Sequence, residues 1–215
     1  DYALGRIFGC LRENDLFKNT WIIFTADHGE MLGDHHMSQK NLFFEGSAHV
    51  PLLIMPPQGR SLPQNISVEA PTDLVDLYPT ILAMAGLSSP VSVSGRNLLE
   101  PVPMDRIFFG NSLNRNFCVM EEKLKLVYSA VGDHVLLFDL NTDPMEQHNL
   151  AEDPAWQERK AKLWKLLLEH TAQYTPEALD ENGQFLTYEA PHFPGDVPGR
   201  WFGFHYHDYS VDTFH

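Results

Sequence analysis

Trp21-Ile22-Ile23-Phe24-Thr25-Ala26-Asp27-His28-Gly29-Glu30 is the stretch whose reading decides the fold. It opens on four apolar residues, aromatic and β-branched, a strand-sized run apolar enough to be covered on both faces. It closes on a carboxylate, an imidazole and a glycine. Ahead of it, residues 2–14 place Leu4, Ile7, Phe8 and Leu11 at helical spacing, and Asn19-Thr20 supplies the intervening turn. Helix, short connection, apolar strand and polar loop is the α/β pattern. In open sheets of that class ligands gather at the carboxyl ends of strands, so the position of Asp27 counts as much as its identity.

Working outward, residues 50–55 read as a second apolar strand closed by Pro56-Pro57, and residues 66–69 as a candidate third. Residues 72–87 read as a helix with Leu74, Leu77, Tyr78, Ile81 and Leu82 on its apolar face. Pro79 starts its main part or kinks it, and Gly86 suits the C-terminal cap. Residues 90–103 are loop-like and make the best domain boundary. Beyond them, residues 106–109, 117–120, 124–129 and 135–139 read as short strands, with Gly132-Asp133 placed as in a hairpin. Asp153, an N-cap followed by Pro154, opens an amphipathic helix that carries Trp156, Leu163, Trp164, Leu167 and Leu168 through residue 170. The expected organisation is an α/β portion over 1–100, a small antiparallel-sheet-and-helix subdomain over 101–170, and an extended tail over 171–215. The tail is rich in Pro, Gly, aromatic residues and His. Its Trp201-Phe202-Gly203-Phe204-His205-Tyr206 is read as packing on the small subdomain, with a pocket cover and an oligomer interface as the other readings.

Composition narrows the function classes. The chain has 215 residues, enough for one large or two small domains, and a formal net charge of −14. That charge argues against a nucleic-acid binder, and any anionic substrate needs local positive charge from a metal, Lys, Arg or His. No apolar run approaches the roughly 20 residues of a membrane span. Two cysteines, Cys10 and Cys118, are too few for a disulfide framework and read first as two buried thiols, with a single bridge as the alternative. Asp1-Tyr2-Ala3-Leu4 has neither a basic n-region nor an apolar h-region and begins as though inside a helix, which reads as a piece of something longer.

Two groups of residues carry candidate chemistry. A carboxylate and an imidazole at a strand end, Asp27 and His28, suit a divalent cation: oxygen favours calcium or magnesium, imidazole favours zinc, manganese or iron. On spacing alone, a turn with an exposed histidine is the other reading. Lys40, after the polar Asp34-His35-His36-Met37-Ser38-Gln39, can neutralise the oxygens of a sulfate or phosphate, or be a solvated surface lysine. His35 and His36 read as exposed loop histidines, with the mouth of a pocket as the alternative.

The order of these elements resembles the sulfatase family of the alkaline phosphatase superfamily. Asp27-His28-Gly29, the polar loop, Lys40, Phe44-Glu45 and Val50-Pro51-Leu52 follow the family's pattern of strand, Asp-His-Gly or Asp-Asn-Gly, glycine-containing loop, Lys, aromatic-Glu pair and Val-Pro-Leu strand. Asp73 to Leu82 with Ala85-Gly86-Leu87 resemble its next helix, and Gly95-Arg96-Asn97-Leu98 its Gly-Arg-Ser-Leu segment. Lys125-Leu126-Val127-Tyr128, Leu137-Phe138-Asp139-Leu140, Asp143-Pro144, Glu146 and Asn149-Leu150 resemble its C-terminal subdomain. The resemblance covers about residues 1–170.

The resemblance implies roles. Asp27 and His28 would be two ligands of a divalent cation, calcium first, with magnesium, manganese or zinc as alternatives. Lys40 would contact the sulfate oxygens. His49, where relatives often have Arg, would be structural or line the substrate pocket. The family nucleophile is a formylglycine made within Cys/Ser-x-Pro-x-Arg, and neither Cys10 (before Leu11-Arg12-Glu13) nor Cys118 (before Val119-Met120-Glu121) has that context. The expectation is therefore a sulfuric ester hydrolase whose nucleophile lies in an N-terminal half, with this chain inactive alone. A phosphonate or phosphodiester hydrolase of the same superfamily and a non-catalytic module are the alternatives. A periplasmic or secreted setting is expected.

Overall fold

The computed structural model of the chain describes residues 1–37, 39–40, 42–60 and 67–189. Along them run α1 (Tyr2–Glu13), β1 (Ile22–Thr25), α2 (Glu45–Ala48), β2 (Leu52–Met55), α3 (Leu77–Met84), β3 (Phe108–Ser112), β4 (Asn116–Glu121), β5 (Leu124–Ser129), β6 (His134–Asp139) and α4 (Gln157–Tyr174). They divide into two compact units. One is built from Asp1–Asp27 and Val50–Met104, the other from His28–His49 and the described chain from Asp105 onward. The architecture is mixed α/β.

In the first unit β1 pairs with β2, antiparallel, with Ile22 opposite Met55 and Thr25 opposite Leu52. The expected cover on both faces of β1 is not found. Among the described residues its sheet has two strands, and Phe24, Leu53 and Met55 remain exposed. Residues 67–69 form no strand, and Ile66 lies outside the described residues. The helix expected over 72–87 begins as a 3₁₀ turn, Leu74–Asp76, closed by a capping box in which the Asp73 and Asp76 carboxylates accept backbone N–H groups. It ends at Gly86, whose φ of 72° is the left-handed cap conformation.

The buried face of that helix differs from the expected one, of which only Leu77 and Leu82 are half-buried. Leu74, Tyr78 and Ile81 are exposed, whereas Asp76 and Thr80 are fully buried. The reason is a backbone that needs acceptors. Asp76 Oδ1 accepts from Arg96 N–H at 2.7 Å, and Thr80 Oγ1 accepts from Leu98 N–H at 2.9 Å while donating to the Asp76 carbonyl at 2.6 Å. Gly95 lies so close that a Cβ would sit 2.0 Å from the Val75 carbonyl oxygen.

The second unit is a meander in the order β3-β4-β5-β6. Its β4–β5 turn, Glu122-Lys123, has both φ values positive, the type I′ geometry that matches strand twist. Side chains alternate between faces. Phe117, Val119, Leu124, Leu126, Tyr128 and Leu137 point to one face and share a core with Leu163 and Leu167 of α4. Cys118, Val127, Leu136 and Phe138 point to the other and share a core with Met31, Met37, Leu42 and Phe44. The loop following Asp27-His28 is thus the second cover of this sheet, and β5 is buried along its whole length.

Asp153 caps Ala155 N–H at 2.9 Å with Pro154 next, as read, but α4 runs on through Tyr174. Residues 175–189 lie along the small subdomain. A bridge joins Leu179 to Phe185, another joins Val131 to Tyr188, and Phe185 packs its ring 4.6 Å from Phe117 and 4.7 Å from Tyr128. Residues 190–215, including His205-Tyr206-His207, lie outside the described residues. Both cysteines are free thiols. Cys118 is buried, and burial pushes its thiol up to about 12; Cys10 is exposed instead of being a second buried thiol.

Candidate active site

β1 ends at Thr25, and two residues later the exposed Asp27 leads into His28. The His28 ring is held on two sides. Nδ1 lies 2.7 Å from the Gly29 carbonyl oxygen. A carbonyl only accepts, so Nδ1 carries the proton and Nε2 keeps its lone pair. That lone pair faces the Lys40 ammonium, with Nζ at 2.7 Å. The imidazole and the lysine that the sequence singled out separately are one hydrogen-bonded pair.

The backbone around the pair is tied from both ends. Gly29 N–H donates to the Ser47 carbonyl at 2.7 Å and Glu30 N–H to the Gly46 carbonyl at 2.9 Å. Ser47 Oγ, buried, donates to the Lys40 carbonyl at 2.7 Å. Met31 N–H donates to the Gln39 carbonyl at 3.0 Å, and Gln39 N–H to the Glu30 carboxylate. Lys40 therefore has a fixed backbone and an exposed side chain. Gly29 is required by packing, since a Cβ there would lie 2.1 Å from the Gly46 carbonyl oxygen.

Of the other histidines singled out, His35 differs from its first reading. His35 is half-buried, with a φ of 52° and its ring stacked on Phe44 at 4.2 Å, so it is no exposed loop residue. The His36 side chain lies outside the described atoms. His49 is exposed, with Nδ1 2.8 Å from the Glu45 carboxylate one turn back. Among the described residues, no cluster of three or more His, Cys, Asp or Glu side chains is assembled around a metal position. Asp27 ends the first stretch of one unit with an exposed carboxylate, and His28 begins the other with an imidazole whose Nε2 lies against the Lys40 ammonium.

Residue-by-residue reading left Lys125 and Glu146 without a role. Lys125 projects from β5 onto the loop-covered face, where its Nζ donates to the Phe43 carbonyl at 2.9 Å, to Glu146 Oε1 at 2.8 Å and to the Glu45 carboxylate. Burial opposes its charge, but the carboxylates of Glu146 and Glu45 outweigh it and hold the ammonium above the ordinary lysine value. The available signal was a single lysine inside the otherwise apolar Leu124-Lys125-Leu126-Val127-Tyr128.

The fold is that of an α/β protein of the alkaline-phosphatase-like class. Residues 1–87 match the family model described as Sulfatase. Arylsulfatase K of Xenopus laevis is 34% identical over 171 residues, which span 70% of this chain and 31% of that protein. The uncharacterized sulfatase YidJ of Escherichia coli is 31% identical over 182 residues, spanning 79% and 35%. Among solved structures, the phosphonate monoester hydrolase of Agrobacterium radiobacter superposes with a TM-score of 0.63 at 32% identity, covering 84% of this chain and 41% of that one. The chain belongs to the sulfatase family and spans about a third of the length of the curated relatives it matches.

Proposed function

We propose that the protein is a sulfuric ester hydrolase to which this chain contributes the cation-and-anion half of the active site. The observation that carries this reading is the 2.7 Å contact between Lys40 Nζ and His28 Nε2. It brings an exposed ammonium to a strand-end imidazole in a protein whose net charge of −14 would otherwise repel a sulfate ester. Lys40 holds the non-bridging oxygens and neutralises charge that develops on them. Once Lys40 turns from it to the sulfate oxygens, His28 offers the lone pair of Nε2, in an orientation set by Gly29, and Asp27 offers a carboxylate; together they would hold part of the coordination of a divalent cation, calcium by preference. When bound, such a cation supplies Lewis-acid activation and orients the nucleophile.

The formylglycine nucleophile and the remaining metal ligands are assigned to an N-terminal half outside these 215 residues. The exposed Phe24, Leu53 and Met55 of the β1–β2 sheet, strands apolar on both faces, support a covering segment of that kind. A sulfate ester is the proposed substrate and a periplasmic or secreted compartment the proposed setting. The likeness to a phosphonate monoester hydrolase gives the second reading, phosphonate or phosphodiester hydrolysis at the same residues.

The test is to measure the full-length protein on nitrophenyl sulfate and on a phosphonate monoester, with elemental analysis of its metal. The sulfate ester should be the better substrate, and Asp27→Ala should lose metal and turnover together. Faster turnover of the phosphonate moves the assignment to the second reading.

A further inference from the structure

The loop that carries Lys40 reaches the four-stranded sheet through one charged contact in an apolar face. The neighbours on that face are Cys118, Val127, Leu136 and Phe138. Among them Lys125 and Glu146 are almost wholly buried, with side-chain exposures of 3% and 2%. All three donors of the ammonium are used, on the Phe43 carbonyl, the Glu45 carboxylate and Glu146 Oε1. The other oxygen of Glu146, Oε2, accepts the Glu45 N–H at 2.7 Å, where α2 begins. Glu146 makes both contacts from a φ of 55°, a conformation L residues rarely adopt and one kept where the surrounding structure requires it. Beside them Phe43 lies against Gly110 of β3, where a Cβ would come 2.4 Å from its ring.

A buried ion pair is weak evidence for stability, because well-packed apolar residues of similar volume hold a fold as well. Apolar residues cannot, however, direct hydrogen bonds at a chosen carbonyl and a chosen N–H. Here those bonds fix residues 43–45, and α2 hands the register on. Gly46 and Ser47 carbonyls receive Glu30 and Gly29 N–H, and Ser47 Oγ holds the Lys40 carbonyl.

We propose that Lys125 and Glu146 are positioning residues for the Lys40–His28 pair: they lock the start of α2 onto the sheet, and α2 fixes the backbone on both sides of the pair. The proposal deepens the functional reading above and rests on it for its catalytic consequence. Neither residue touches substrate; both act through α2.

The experiment uses the full-length protein, with Lys125→Met and the milder Glu146→Gln, which keeps an acceptor for the Glu45 N–H. Amide exchange at residues 29–30 and 45–48 should accelerate about tenfold or more in Lys125→Met and less in Glu146→Gln, while β4, β6 and α4 stay within about a factor of two. Turnover should fall about tenfold or more with KM changed less, since the lost element is alignment. Lys125→Met added to Lys40→Ala should cost nothing further, because one acts through the other. Exchange that rises evenly through the sheet, or not at all in residues 29–30 and 45–48, overturns the proposal, as do losses that multiply in the double variant. If Lys125→Met does not fold, the same local pattern in Glu146→Gln supports the proposal and its absence overturns it. Should Lys40→Ala alone leave turnover unchanged, the functional reading fails, while the exchange pattern still decides the positioning role.

Discussion

At Gly29 the Gly46 carbonyl oxygen occupies the space a side chain would need, 2.1 Å from an ideal Cβ. Gly29→Ala should therefore push α2 from the loop, lowering stability in denaturant by roughly 1–3 kcal/mol, and should cut turnover with it. His170 is a second site where one residue is decisive. Its ring stacks on Phe109 at 3.9 Å, and burial lowers its pKa below the ordinary histidine value. A histidine kept neutral in the fold protonates more readily once unfolded, so its contribution is present above the ordinary histidine pKa and is lost as pH falls through the lowered folded value. Thermal midpoints should drop between pH 8 and pH 5, and His170→Phe should flatten that slope; an unchanged slope would remove His170 as the cause. His28 and Lys40 were each singled out in the sequence, by a strand end and a family pattern, and they are in contact. The contact itself was not legible, since the bonds that set it run through Ser47 and Gly46 backbone that no side-chain pattern reports.

Helix α3 and strand β5 show where element-level reading succeeds and where it falls short. The positions of both follow from periodicity. The buried side of α3 does not, because Asp76 and Thr80 are buried to satisfy the N–H groups of Arg96 and Leu98. Removing those acceptors leaves donors unpaired, so Asp76→Ala should cost about 3 kcal/mol in denaturant unfolding and Asp76→Asn less. A loss near zero would mean that water replaces the carboxylate. For β5, the run Leu124-Lys125-Leu126-Val127-Tyr128 reads as a short strand, and both its faces are covered, by α4 and by Met31, Met37, Leu42 and Phe44. No local pattern announces a cover that comes from some 80 residues earlier in the chain.

For the whole molecule, the α/β class and the antiparallel sheet followed from the order of elements. The grouping of His28–His49 with the C-terminal sheet was not visible, since chain order and spatial order differ there. If a further part of the protein supplies the nucleophile, the 215-residue chain alone should show no turnover of nitrophenyl sulfate above background, and turnover rivalling an intact sulfatase would defeat that division of labour. The central claim is that Lys40, placed beside His28, carries the sulfate charge. Its most direct test is kcat/KM of the full-length protein on nitrophenyl sulfate before and after Lys40→Ala, with metal content followed in parallel. The account predicts a loss of about 10²–10³, the equivalent of roughly 2–4 kcal/mol, with the metal retained. A kcat/KM within about a factor of two of the parent protein would contradict it.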